Sequence, residues 1–302
     1  MSREKVIKTT GGKKNPGRIE AYLNLWKRHP GSAFVASLVW LAALLTMGVL
    51  IFLVSFIVIK GVRHLTPDLF ALSYNTDNVS LLPALINTLI ITAFSLLVAV
   101  PLGIFAAIFL VEYANKGSKM VNLIRITAET LQGIPSIIYG LFGLLFFCTT
   151  IHWGLSLLSG SMTLVIMILP LIIRTTEEAL LGVPDTYREA SFGLGAGKLR
   201  TIFRVVLPSA IPGILSGVVL ATGRIVGETA ALLYTAGSVA KVPDSLMGSG
   251  RSLAVHMYVL STEGLYMDQA YATAVVLLVF VLVLNGVSAL IARRISKAST
   301  GN

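Results

Sequence analysis

The sequence predicts an all-α membrane protein with six transmembrane helices, and its composition and apolar runs lead to that class. Of its 302 residues, 55% are hydrophobic and 13% are charged, and the mean hydropathy is +0.83. A soluble domain has about a quarter of its residues charged, so this chain lacks the polar surface that a water-soluble fold needs. The apolar runs are continuous, whereas the strands of a membrane barrel alternate with period two. Helices are therefore the expected spanning elements, because they satisfy their own backbone groups in lipid.

Six apolar runs are interpreted as membrane spans. The first follows a polar, basic tail and has no small-residue cleavage site at its end, which predicts a retained helix rather than a secretory signal. The second contains Pro101, which predicts a bend, and the third begins after Gly133 and Pro135. The fourth is short unless residues 153–161 contribute to it. The predicted spans are Ala33–Ile59, Leu82–Val111, Ile134–Ile151, Met162–Ile173, Ile211–Tyr234 and Ala270–Ala292.

The predicted organisation has three parts. A basic cytoplasmic tail (1–30) precedes a six-helix transmembrane domain (31–298), which contains a cytoplasmic loop at 175–208 and is followed by a short C-terminal end (299–302). Of the 24 lysines and arginines, 19 lie in the two tails and in the second-to-third and fourth-to-fifth connections, 4 lie in the alternate connections, and Arg224 lies inside the fifth span. Cytoplasmic segments are enriched in lysine and arginine, so both termini and the 175–208 loop are predicted on the cytoplasmic side of the plasma membrane.

Neither nucleic acid nor a metal ion is predicted as a ligand. The net charge of +10 invites a nucleic-acid interpretation, but the basic residues are confined to a few loops and tails, which argues against that partner. The four histidines are scattered without the spacing of metal ligands, so no metal site is predicted.

The 175–208 loop has a pattern of its own. Asp185–Phe192 has helical spacing, glycines at 193, 195 and 197 interrupt it, and Leu199–Val206 resumes with one apolar face. One interpretation is an amphipathic linker on the membrane surface. A phosphate loop is excluded, because Phe192 and Leu199 occupy positions where that motif needs other residues. We therefore expect no ATP or other cofactor to bind to this chain.

This loop also contains a set of spaced residues, namely Glu189, Ala190, Ser191, Gly195, Leu207 and Pro208. Their spacing resembles the Glu-Ala-Ala motif of ABC importer permeases. Two positions depart mildly, since Ser191 and Val205 stand where the family has Ala and Ile. The resemblance implies a type I ABC importer permease fold, in which these residues dock a coupling helix into a cleft on a separate ATPase dimer. It implies that this chain itself catalyses no reaction.

Arg224 and Glu228 lie within the fifth predicted span. A charged side chain there costs at least about 2.5–3.5 kcal/mol, and Glu228 follows at i+4, on the same face of a continuous helix. Gly213, Gly217 and Ala221 share that face and permit close helix approach. Either the two form a buried ion pair that fixes packing, or Arg224 meets an anionic substrate while Glu228 holds it. Arginine suits the second role because it offers paired donors to oxyanions and stays protonated.

The surroundings of this pair form a pattern with Gly223, Arg224, Gly227, Glu228, Thr229 and Ala230, to which residues in Gly133–Gly143 and Arg174–Glu177 belong. This pattern resembles that of the phosphate-specific importer permeases of the PstA type. The resemblance runs from about Asn87 to Asn285. It implies half of a path for inorganic phosphate through the lipid membrane, lined by Arg224, Glu228 and Arg174. The implied partners are a second, PstC-type permease, the ATPase dimer and an extracytoplasmic phosphate-binding protein.

Alternatives remain at this point for the substrate and for one residue. A permease for sulfate or molybdate fits the same charges, and an anion channel or secondary carrier explains Arg224 but not the coupling loop. Arg174, predicted to close the fourth span, either snorkels to the interface or takes part in an inner anion gate.

Overall fold

The computed structural model describes residues 30–115 and 117–300, and every regular element among them is helical. The predicted tail lies outside the described residues, except for Pro30. The described chain divides into one unit that ends at Phe56 and a larger one that begins at Ile57.

The first span is a single long helix. Helix α1 covers Pro30–Val62, so it contains the predicted run and extends it at both ends. Up to Phe56 its side chains are almost all exposed and almost all apolar, as suits a helix surrounded by lipid.

The second span agrees with the prediction, while the third is a bent pair of helices. Helix α2 covers Leu82–Ile108 and ends in a π-helical turn, Phe109–Tyr113. Helix α3 (Lys119–Gln132) and helix α4 (Ser136–Gly143, extended by a π-helical segment to Thr150) meet at 100°. The single span predicted at Ile134–Ile151 therefore omits α3. Pro135 lies at the break, where it has no N–H to continue a helix and disfavours helical geometry in the residue before it.

The fourth and fifth spans differ from their predicted bounds. Helix α5 covers Leu157–Leu181, so the prediction of Met162–Ile173 was too short at both ends, and residues 175–181 are helical rather than part of a loop. Helix α6 covers Asp185–Gly193, as the spacing predicts. Helix α7 (Lys198–Thr201) passes through a π-helical turn, Ile202–Val206, directly into helix α8 (Leu207–Val226).

The prediction of one fifth helix through to Tyr234 was wrong at its end. Helix α8 stops at Val226, and a separate short helix, α9, covers Ala230–Thr235. Helices α10 (Leu253–Glu263) and α11 (Met267–Thr300) complete the chain. In the part of the chain that the structure describes, five helices are long and apolar enough to cross a membrane, and the bent α3–α4 pair adds a sixth if it counts as one span. The predicted class is confirmed.

The core of the larger unit is built around α5, which packs against both α2 and α8. Glycines allow these close approaches: Gly103 of α2 lies against Ile172, Gly213 of α8 against Ala179, and Gly217 of α8 against Thr175. The largest buried cluster joins α2, α5, α8 and α9. The packed helix α8 therefore connects the residues before it to those after it.

Candidate coupling and substrate-path sites

The segment between α5 and α8 is a helix, a glycine turn and a second helix, as predicted. Gly195 has φ +82°, a left-handed conformation that favours glycine, and it ends the turn that follows α6. The Ser191 and Thr201 hydroxyls lie 2.8 Å apart and tie α6 to α7. We call residues 185–201 the coupling segment.

The coupling segment presents a mixed polar and apolar face. Glu189 and Ala190 are exposed, Leu194 is 90% exposed, and Leu199 is 64% exposed. Leu207 and Pro208, by contrast, are half-buried at the start of α8, where Leu207 packs on the cluster formed by α2, α5 and α8. The coupling segment therefore carries exposed apolar side chains, while the start of α8 that follows it is anchored in the core.

Arg224 lies in the last turn of α8, at the wall of an open cavity of about 680 Å³. The lining residues are Leu171, Ser216, Val219, Leu220, Gly223, Arg224 and Asn285. Most of this lining is apolar, so the guanidinium is its principal charge. Arg224 is half-buried.

The predicted ion pair between Arg224 and Glu228 is not found. Because α8 ends at Val226, Arg224 and Glu228 no longer share one face of a continuous helix. Among the described residues, no carboxylate oxygen lies within 4.0 Å of an Arg224 nitrogen. Glu228 is buried, and its Oε1 accepts a hydrogen bond from the Ala231 N–H at 3.0 Å. The carboxylate therefore stabilises the start of α9.

Arg174 lies inside α5 rather than at its end, and it is held between two carboxylates. Its Nη1 donates to Glu129 Oε1 of α3 and its Nε donates to Glu178 Oε1, each at 2.7 Å. Next to it, Arg125 Nε lies 2.6 Å from Oε1 of the buried Glu177. Two of these ion pairs, Arg174–Glu129 and Arg125–Glu177, connect α5 to α3.

Sequence reasoning missed several residues that the fold brings to these sites. Glu112 reaches Arg188 across 76 positions, and Asn285 reaches the Arg224 cavity from α11. Both are polar residues in or beside apolar runs, which was the only signal of a role. A single sequence does not show which partner such a residue meets.

Comparisons with a family model and with individual proteins both identify transport permeases. Residues 99–297 match the family described as binding-protein-dependent transport system inner membrane component. The chain is 34% identical over 285 residues to the probable ABC transporter permease protein YqgI of Bacillus subtilis, covering 87% of this chain and 95% of that protein. It is 36% identical over 211 residues to the phosphate transport system permease protein PstA 1 of Mycobacterium tuberculosis, covering 69% of each.

A solved structure supports the fold independently. The bacterial alginate ABC transporter, in complex with its alginate-bound periplasmic protein, contains a chain that matches with a TM-score of 0.66 at 18% identity. The match covers 91% of this chain and 99% of that chain. The type I permease fold implied by the coupling motif is therefore confirmed, and the chain belongs to the binding-protein-dependent transport system inner membrane component family, the permease subunits of ABC importers.

Proposed function

We propose that this chain forms half of the translocation path of an ATP-driven importer of inorganic phosphate. The observation that carries the proposal is Arg224, a guanidinium in the last turn of a helix long and apolar enough to span a membrane. It lies at the wall of a cavity and has no ion-pair partner in the part of the chain described. A cation in this setting is costly unless an anion compensates it. Relatives named as PstA phosphate permeases, at 32–38% identity, support phosphate as that anion.

The chemistry of the cavity suits a passing oxyanion. Arginine can donate two parallel hydrogen bonds to two phosphate oxygens and stays protonated throughout. Ser216 and Asn285 add the only other polar groups to the described lining. One arginine with few other donors binds an anion weakly enough to release it, which transport requires.

The Arg224 cavity is open, and a second permease of PstC type is the proposed partner that closes it. Glu228 would then fix the break after α8 and so orient Arg224, instead of neutralising it. Arg174 would contribute to an inner gate only after Glu129 or Glu178 releases it, because both carboxylates occupy its donors.

The coupling segment supports an ATP-driven mechanism. ABC importer permeases function with an ATPase and an external binding protein, and the proposed docking residues are Glu189, Ala190, Ser191, Gly195, Leu207 and Pro208. The exposed Leu194 and Leu199 supply an apolar contact area beside them. ATP would bind to the ATPase dimer and not to this chain. Both termini and this segment would face the cytoplasm, with an extracytoplasmic phosphate-binding protein on the other side.

The test is uptake of labelled phosphate into proteoliposomes that contain this chain with its second permease, its ATPase and its binding protein. We expect uptake that needs ATP and that excess sulfate and molybdate do not suppress. Suppression by sulfate or molybdate would identify another oxyanion importer instead. Transport by this chain alone, driven by an ion gradient, would contradict the proposal in favour of a carrier or channel.

A further inference from the structure

The coupling segment is attached to the end of α2 by a partly buried ion pair. Arg188 of α6 donates from Nη2 and Nε to Oε1 of Glu112, at 2.8 and 3.0 Å. The two side chains are only 14% and 9% exposed. Glu112 lies in the π-helical turn Phe109–Tyr113, with which α2 ends.

Arg188 also fixes the end of α5. Its Nη2 donates to the Leu180 carbonyl at 3.0 Å, and its Nη1 donates to the Val183 carbonyl at 2.9 Å. These acceptors belong to the last turn of α5 and the residues after it, where backbone carbonyls lack helical partners. One guanidinium therefore joins α6 to two membrane helices at once.

A second contact connects the other end of the coupling segment to the same turn of α2. The ammonium of Lys198, the first residue of α7, lies 4.7 Å from the centre of the Tyr113 ring. In a cation–π contact of this kind the positive charge is attracted to the face of the aromatic ring. Both helices of the segment thus contact neighbouring residues of one π-helical turn. Such turns occur frequently at functional sites.

The two acidic partners of Arg188 differ in environment. Asp185 Oδ1 lies 3.1 Å from Nη1, but its side chain is 73% exposed, so water and salt screen it. Glu112 is almost buried, and removal of one partner of a buried pair leaves an uncompensated charge. The Glu112 contact should therefore hold α6 in place, while the Asp185 contact should add little.

We propose that Arg188 and Glu112 are positioning residues that make α2 follow the coupling segment when the ATPase moves it. The inference rests on the coupling role proposed above, but not on the identity of the substrate. Displacement of the segment reaches α8 through the continuous chain of α7. It reaches α2 only through side chains, and the Arg188–Glu112 pair is the most buried ionic contact of that kind in the described residues.

The test measures movement of α2 in the complete complex. With the buried Cys148 replaced by serine, spin labels at Leu97 of α2 and Val279 of α11, both exposed, report the distance between these helices with and without ATP. We expect Glu112→Gln and Arg188→Gln to reduce the ATP-driven change at least fivefold, while the complex still hydrolyses ATP. Asp185→Asn also removes one carboxylate charge that contacts Arg188, but it should leave the ATP-driven distance change at the wild-type level.

Glu112→Asp keeps the charge and should give an intermediate change. An unchanged distance response in Glu112→Gln would overturn the proposal, and so would failure of both Glu112 variants to assemble, since the pair would then serve folding. An ATP-driven response in the wild-type complex without phosphate uptake would instead overturn the proposed substrate. In that case, loss of the ATP-driven distance change in Glu112→Gln would still support the proposed role of the Arg188–Glu112 pair.

Discussion

Arg224 and Glu228 lie on either side of a helix break at Gly227, and their side chains do not pair. Glu228 accepts a hydrogen bond from the Ala231 N–H, whereas Arg224 lines an open cavity. A continuous helix would have placed the two side chains on one face. The break separates a structural carboxylate from a cation that remains available to an external anion, and the two residues should therefore respond differently to substitution.

Substitution of Glu228 should affect stability according to its ability to accept a hydrogen bond. Glu228→Ala leaves the buried Ala231 N–H without its acceptor and should cost about 1–3 kcal/mol. Glu228→Gln retains an acceptor oxygen and should cost less. The check is the apparent melting temperature of the purified complex, and equal values for the Ala and Gln variants would show that the N–H bond is unimportant.

Gly217→Ala should destabilise the contact between α8 and α5. A methyl group at Gly217 would collide with the Thr175 side chain, and overpacking of this kind typically costs about 1–3 kcal/mol. Gly286→Ala is the matched control, because nothing lies within 4 Å of the position that its methyl group would occupy. Thermal unfolding should show a lower melting temperature for Gly217→Ala only; a decrease of the same size in both variants would contradict the packing argument.

Stability should fall in acid through His256. Burial, and secondarily the charge of Arg251, lowers the pKa of His256 from 6.5 to about 3, and the Tyr74 ring packs edge-on against it. Between these values the unfolded chain binds a proton that the folded chain does not, so stability decreases as the pH falls from 6.5 towards 3. For this one proton, the free energy of unfolding changes by at most about 1.4 kcal/mol per pH unit.

Melting temperatures measured from pH 7 to pH 4 test this pH dependence. His256→Phe should flatten the decrease, because the ring remains but cannot be protonated. His152→Asn, at an exposed position, should leave the wild-type curve unchanged. A His256→Phe curve that parallels the wild-type curve would mean that other groups cause the acid sensitivity.

Much of the fold could be predicted from continuous apolar runs. The runs in α1 and α2, and the start of α11, were identified within a few residues because each run is long and continuously apolar. The end of α11 at Thr300 was missed because its last turns carry basic residues. The end of α5 was missed because the polar Thr176 and Glu177 are buried against neighbouring helices, and hydropathy does not distinguish a polar helical turn from a loop. The break after Val226 was missed because no proline marks it.

The candidate sites were predictable only in part, for a related reason. The glycine turn of the coupling segment was predicted, and Gly195 adopts a left-handed φ within it. Arg224 lies at a cavity, which the sequence does not show. The pairs Arg188–Glu112 and Arg174–Glu129 join residues 76 and 45 positions apart. Tertiary packing brings these partners together, so the spacing of residues along the sequence does not predict the pairs.

The most direct test of phosphate import through Arg224 compares Arg224→Gln with the wild type in reconstituted complexes supplied with ATP and loaded binding protein. Loss of a buried charge-assisted contact typically costs about 2–5 kcal/mol, so the initial rate of phosphate uptake should fall at least about tenfold. Assembly with the ATPase should stay normal, because Arg224 has no ion-pair partner among residues 30–115 and 117–300. Uptake at the wild-type rate in Arg224→Gln would contradict the account.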